Sequence, residues 1–266
     1  MDKIIRHGIV RSNSSMSRRI MVGIPMTGLL RAEWVLARYG QVIPCNWSQI
    51  DCLHFIDQSS PLGFVVADAR NVIATKFVEE EIDWLFFIDH DTIIPQNTIL
   101  TWNKRMLQGD VPVWSGLYFT RSVPSEPLVY RGRGNSYYDQ WKFGEDVWVD
   151  GIPMGCTMIH KSILQIMYDE SEEYEVGGQK VRRIFDTPAR SWYDPETHSW
   201  FNSQGTEDLE WCTRVMDDDI FKKAGWPEFA EKEFPFLIDT TIFCKHIDNN
   251  GIQYPARGEE QQFMEI

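Results

Sequence analysis

The stretch Trp84-Leu85-Phe86-Phe87-Ile88-Asp89-His90-Asp91 constrains the fold of this chain more than any other. Five large apolar residues in succession predict a strand buried on both faces, as in the interior of a parallel sheet. The two carboxylates fall where that strand leaves the core. Side chains alternate along a strand, so Asp89 and Asp91 are expected on one side and His90 on the other. Two carboxylates converging on one small volume suit a hard divalent cation. In open α/β sheets, the crevice beyond the carboxyl ends of the strands is also where ligands bind. The residues alone allow a second reading, in which Asp91 caps a helix beginning near Pro95 and Asp89 merely ends a strand.

The flanking sequence alternates strand and helix patterns. Residues 20–25 form an apolar run closed by Pro25 and Gly28, and Leu29, Leu30, Trp34 and Ala37 follow at helical spacing. Residues 41–43 and 53–56 read as short strands. Asp68 is placed to cap a second helix whose apolar face is Ala69, Val72, Ile73 and Phe77, with Arg70 and Asn71 in its first turn. A helix over 95–107 and a strand over 111–119 complete a pattern that predicts a mostly parallel, doubly wound central sheet flanked by helices. The second half changes character. Residues 121–145 and 188–205 read as long aromatic connections, and loops of that length in a compact domain are commonly functional. Between them lie a strand near Val147, a segment through Gly155 and Cys156, and a helix over 161–168. A last strand is expected over 234–243.

At 266 residues with 43% apolar composition, a single α/β domain is expected over 20–248. It divides into a first half over 20–120 and a second half over 121–248, with a loose arm over 1–19 and a tail over 249–266. A formal charge of −13 argues against a broad basic face for nucleic acid or anionic lipid. No run approaches the roughly 20 apolar residues of a membrane span, and the N-terminus has no apolar signal core. The five cysteines include no Cys-x-x-Cys pair, which points to reduced thiols in a cytoplasm.

Two further segments can carry chemistry. Thr206-Glu207-Asp208-Leu209-Glu210 puts three carboxylates in the first turn of a helix, where the helix dipole favours them for about 0.3–1 kcal/mol with no function required. The same dipole is expected to lower their pKa, leaving a base ionised at neutral pH. His246, after an apolar run, gains meaning only beside carboxylates that lack a third ligand, a combination suited to manganese.

In order, the chain carries Ile24-Pro25, Ala69-Arg70-Asn71, the apolar strand into Asp89-His90-Asp91, Gly116-Leu117-Tyr118, and 149–156 through Gly155-Cys156. Glu207-Asp208 and His246 follow. That order resembles the glycosyltransferases of GT-A (Rossmann-like) fold, close to the family 2 nucleotide-sugar transferases, over about residues 20–248. The resemblance implies that Asp91, with Asp89 directly or through water and the donor ribose, holds Mn²⁺ or Mg²⁺ against the diphosphate of a UDP- or GDP-sugar. His246 would be a further metal ligand. Pro25 and Thr27 would lie against the nucleoside, Arg70 would face the donor, and Gly155 would border the sugar. Asp208 would be the general base of an inverting transfer, with Glu207 orienting the acceptor. His90 stands where the family often has an acidic or small residue.

The acceptor is expected to be a saccharide or another hydroxyl compound. Arg121, Arg131, Arg133, Arg182 and Arg183 also allow a phosphate-bearing acceptor, including a hydroxymethylated base in DNA. Trp192, Tyr193, Trp200 and Phe201 offer faces for sugar or base stacking. The length and lack of an anchor fit a stand-alone cytoplasmic enzyme of a microbe or virus. Two rival readings remain. In a haloacid-dehalogenase-like phosphatase, Asp89 would be the nucleophile, Asp91 the acid-base partner and Asp217-Asp218-Asp219 a late acidic motif. The other is a nucleotide-sugar-binding module without catalysis.

Overall fold

The computed structural model describes residues 19–43, 55–132 and 137–264. The first half runs β1 (Arg19–Gly23), α1 (Ala32–Tyr39), β2 (Phe55–Ser59), α2 (Val66–Glu79), β3 (Trp84–Ile88), β4 (Thr92–Ile93), α3 (Thr98–Gln108) and β5 (Val113–Leu117). After an irregular connection come β6 (Asp146–Val149), β7 (Cys156–His160), α4 (Lys161–Glu170), β8 (Glu173–Val176), β9 (Gln179–Arg182), β10 (Ala189–Asp194) and β11 (Ser199–Gln204). The chain continues through α5 (Glu207–Asp217), α6 (Ile220–Lys223), α7 (Pro227–Ala230), β12 (Phe236–Phe243), β13 (Lys245–Ile247), β14 (Gln253–Tyr254) and α8 (Arg257–Met264). No helix among the described residues is long and apolar enough to cross a membrane.

The central sheet has seven strands in the order β2-β1-β3-β7-β5-β12-β6. Strand β3 occupies its interior with all five residues buried, as its unbroken apolar run predicts. The sheet is mixed rather than mostly parallel. Strands β1, β2, β3, β5 and β12 share one direction, but β7 runs antiparallel between β3 and β5, and β6 runs antiparallel at the edge. A parallel return needs a crossover, usually a helix, and the described residues between β5 and β7 contain none. Alternation in the first 120 residues therefore does not extend to the rest of the sheet.

Several boundaries differ from expectation. Helix α2 begins at Val66, so Asp68 lies inside its first turn and accepts a hydrogen bond from the Tyr174 hydroxyl (2.6 Å) rather than capping. Helix α3 begins at Thr98 behind Asn97, so Asp91 caps nothing there. The strand expected over 111–119 is shorter, β5 ending at Gly116 and Leu117. A Cβ on Gly116 would come within 2.9 Å of the Ile242 carbonyl oxygen, so only glycine allows β12 to lie this close. The connection over 188–205 is a regular antiparallel hairpin, β10–β11, with Tyr193 paired to Trp200 across it. Strand β12 is not the last, and the expected tail contains β14 and α8. Phe263 of α8 packs on Phe119 (ring centroids 4.8 Å), just past the end of β5.

Of the expected short strands, residues 41–43 are not in a strand, and 53–54 lie outside the described residues, as do Cys45 and Cys52. Cys156, Cys212 and Cys244 are free and buried.

Candidate active site

The site forms at the carboxyl ends of β1 and β3. Both chain bonds of Asp89 are tethered: its N–H donates to the Gly155 carbonyl (3.0 Å) and its carbonyl accepts from the Trp34 indole (2.7 Å). Strand β3 stops at Ile88, and the Asp89-His90-Asp91 segment is a turn, so strand alternation no longer governs its side chains. The three side chains go three ways. His90 reaches the end of β1, with Nδ1 3.1 Å from the Pro25 carbonyl oxygen and Nε2 3.0 Å from the Thr27 hydroxyl. Asp89 and Asp91 line one cavity of about 230 Å³ with Pro25, Met26, Thr27, Phe64, Val66 and His90. Each carboxylate nevertheless meets a different guanidinium.

Asp89 meets Arg70. The Arg70 side chain is 2% exposed; Nη2 donates to both Asp89 oxygens (2.9 and 3.0 Å) and Nε to Glu207 Oε1 (3.0 Å). Its guanidinium lies 5.1 Å from the centre of the Phe87 ring, while Nη1 has no hydrogen-bond partner among the described residues. Next to it, the Asn71 side chain pairs with both backbone polar groups of Phe185 (2.7 and 2.8 Å). Arg70 and Asn71 thus face inward, where sequence reading put Arg70 towards the donor. Burial pushes Asp89 above the usual carboxylate range, helped by Asp91 and Glu207 and opposed by Arg70.

Glu207 is buried against Arg70 and braces that arginine. Asp208 opens α5 beside it, with Oδ1 accepting from the Leu209 N–H (2.8 Å). Its pKa is pushed up to about 6, by burial first and the Glu207 charge second, against Thr206 and Arg70. The expected lowering by the helix dipole is outweighed. At pH 7 Asp208 is still mostly ionised and can accept a proton.

Asp91 meets Arg121 and His246. His246 arrives through a short ladder: β13 pairs antiparallel with β4, setting His246 opposite Thr92, and the Ile247 N–H donates to the Asp91 carbonyl (2.8 Å). The His246 tautomer follows from its partners. Nδ1 lies 3.0 Å from the Phe119 carbonyl oxygen, which can only accept, so Nδ1 carries the proton. Nε2 therefore presents its lone pair, towards Arg121 Nε–H (2.8 Å) and the Tyr118 hydroxyl (2.9 Å), 3.4 Å from Asp91 Oδ2. Arg121 Nη2 donates to that same Asp91 oxygen. Burial works to raise Asp91, yet His246 whenever it is protonated on Nε2, and then Arg121, hold it below the usual carboxylate range. Gly155 packs here too: a Cβ would sit 2.9 Å from both the Thr92 hydroxyl and the Tyr118 ring.

Among the described residues, no three His, Cys, Asp or Glu side chains gather as a metal cluster. Of the expected set of Asp89, Asp91 and His246, Asp89 is bonded to Arg70. Asp91 Oδ2 and the Nε2 lone pair remain as two converging donors. Two protein ligands fit a hard cation that takes its other positions from water and substrate phosphates.

The other arginines do not form one patch. Arg131 bonds the Trp148 carbonyl and stacks on Tyr138, Arg182 bonds the Ser171 carbonyl, and Arg183 pairs with Glu172; Arg133 lies outside the described residues. On the β10–β11 hairpin, Tyr193 and Trp200 are exposed cross-strand neighbours with ring centroids 5.6 Å apart. The Trp192 and Phe201 side chains lie outside the described residues. Asp217 ends α5 and Asp219 begins α6, a helix length of roughly 15 Å from Asp208.

Sequence reasoning missed two things: the carboxylate-bracing role of Arg70, and Arg121 as a partner of Asp91. Arginine content alone carries no sign of either. No protein-family model and no curated protein matches the chain. Among solved structures, A197 from STIV matches with a TM-score of 0.51 at 14% identity, covering 89% of this chain and 88% of that one. At that identity, the likeness is one of fold.

Proposed function

We propose that this chain is a glycosyltransferase moving a sugar from a nucleoside-diphosphate donor to an acceptor hydroxyl, with inversion. The observation that carries this reading is the convergence of Asp91, the lone pair of His246 and a cavity floored by Pro25 and Thr27 at the strand ends. The Glu207-Asp208 pair joins them through Arg70. The donor's base would rest among Pro25, Met26, Phe64 and Val66. A divalent cation, Mn²⁺ or Mg²⁺, held by Asp91 and His246 would neutralise charge developing on the departing diphosphate.

Within the chain, Asp208 accepts the acceptor's hydroxyl proton as the new bond forms, and its pKa of about 6 keeps it ionised at neutral pH. Arg70 bridges Asp89 and Glu207, linking donor and acceptor sides. The exposed Tyr193 and Trp200 rings, on a hairpin that leads directly into α5, provide a stacking surface for a saccharide acceptor. A modified DNA base remains an alternative acceptor. The phosphatase reading is the weaker one, because both oxygens of its nucleophile, Asp89, are occupied by Arg70.

Incubation with Mn²⁺ and a panel of UDP- and GDP-sugars, with and without oligosaccharide acceptors, tests the proposal. The expected result is release of nucleoside diphosphate that increases with acceptor. Release of phosphate from a simple ester without turnover of any nucleotide-sugar would overturn it; binding without turnover would indicate the inert module.

A further inference from the structure

We propose that Arg121 is an internal cation that holds the metal seat and exchanges with the metal, moving from Asp91 and His246 onto the donor's diphosphate. This inference rests on the glycosyltransferase reading above and adds a diphosphate-binding residue to it. Arg121 engages the very atoms that a metal would use. Its Nη2 donates to Asp91 Oδ2, and its Nε donates to the single lone pair of His246 Nε2 (2.8 Å). A lone pair already accepting that bond cannot also coordinate a cation, so guanidinium and metal exclude one another.

The backbone around Arg121 is braced while its side chain is half exposed. Residues 118–128 form a closed turn, with the Thr120 N–H bonded to the Glu126 carbonyl (2.9 Å) and the Leu128 N–H to the Tyr118 carbonyl (2.8 Å). Ser125 within the turn bonds Glu259 of α8 (3.0 Å). Arg121 projects from this braced turn with 47% of its side chain exposed, whereas Arg70, which serves the other carboxylate, is 2% exposed. A displaced Arg121 therefore stays tethered at the rim of the seat, and its planar fork matches phosphate oxygens in bidentate geometry. The exchange also keeps a cation beside Asp91 before and after metal binding.

The test measures Mn²⁺ binding alone, by electron paramagnetic resonance of free Mn²⁺, on the full chain and its Arg121→Gln, Arg121→Lys and Asp91→Asn variants, each checked by circular dichroism. Arg121→Gln is expected to bind Mn²⁺ about five-fold more tightly than the parent, the order set by removing one exposed ion pair. At saturating Mn²⁺ it should bind UDP or GDP several-fold more weakly, and Arg121→Lys should restore part of both effects. Equal or weaker Mn²⁺ binding by Arg121→Gln, with Asp91→Asn binding none, overturns the exchange and leaves the metal seat standing. Absence of Mn²⁺ binding in every form overturns the seat and the exchange together.

Discussion

The two carboxylates of Asp89-His90-Asp91 stand two residues apart and share one cavity, yet they belong to different kinds of ion pair. Asp89 faces Arg70, which is sealed into the core, shared with Glu207 and stacked near Phe87. Asp91 faces Arg121, which is half in solvent and shares its partner with a histidine lone pair. Burial raises the first carboxylate, whereas His246 in its protonated form and Arg121 lower the second against the effect of burial. The difference separates scaffold from exchange site. A buried pair is costly to break because each partner left behind is stranded, while an exposed pair is worth little and is easily traded for another cation.

Variants that break each corner should differ accordingly. The largest effect belongs to Asp208, the proposed base, which adjoins the buried corner through Glu207. Asp208→Asn should lower the transfer rate by roughly 10²–10⁴-fold, measured as nucleoside diphosphate release under saturating donor. In the parent, the rate should rise with pH through about 6 and then level off. Stability should show the opposite trend. The folded pKa is raised from 3.8, so the stabilising contribution of this group is complete below pH 3.8 and lost as pH rises through about 6. Asp208→Asn should therefore gain stability relative to the parent between pH 4 and 7 in urea titrations.

Arg70→Met comes next. It strands Asp89 and Glu207 and should cost about 3–5 kcal/mol in denaturant unfolding. A loss below 1 kcal/mol would show that the two corners do not differ as described. Gly155→Ala is expected to be intermediate, about 1–3 kcal/mol, because the added methyl must displace Thr92 or Tyr118. Arg121→Gln should change unfolding stability least, by less than about 1 kcal/mol, while altering Mn²⁺ affinity.

The buried corner was more legible in the sequence than the open one. An unbroken apolar run has few alternatives to an interior strand, so β3 and its terminal carboxylates followed from local pattern. Arg70 and Glu207-Asp208 were placed at helix starts by helical spacing and capping residues. Their mutual pairing was not visible, because it depends on how α2 and α5 approach one another. The open corner depends on long-range pairing from the outset. His246 reaches Asp91 only through the β4–β13 ladder, which involves strands of two and three residues with no readable periodicity. Arg121 sits at a turn whose position is set by a bridge between Phe119 and Pro127 and by α8, in a segment that composition marked as a tail. The antiparallel insertion of β7 escaped notice for the same reason: strand direction is decided by connection path, and local sequence does not record it.

The central claim is that Asp91 and His246 form a cation seat through which a nucleoside diphosphate binds. Isothermal titration of UDP and GDP into the full chain, with Mn²⁺ and after chelation, tests it most directly when run alongside Asp91→Asn and Asp208→Asn. The account predicts that at least one diphosphate binds only with Mn²⁺, that Asp91→Asn abolishes this binding and that Asp208→Asn retains it. Equal binding after chelation, or binding undiminished in Asp91→Asn, would contradict it.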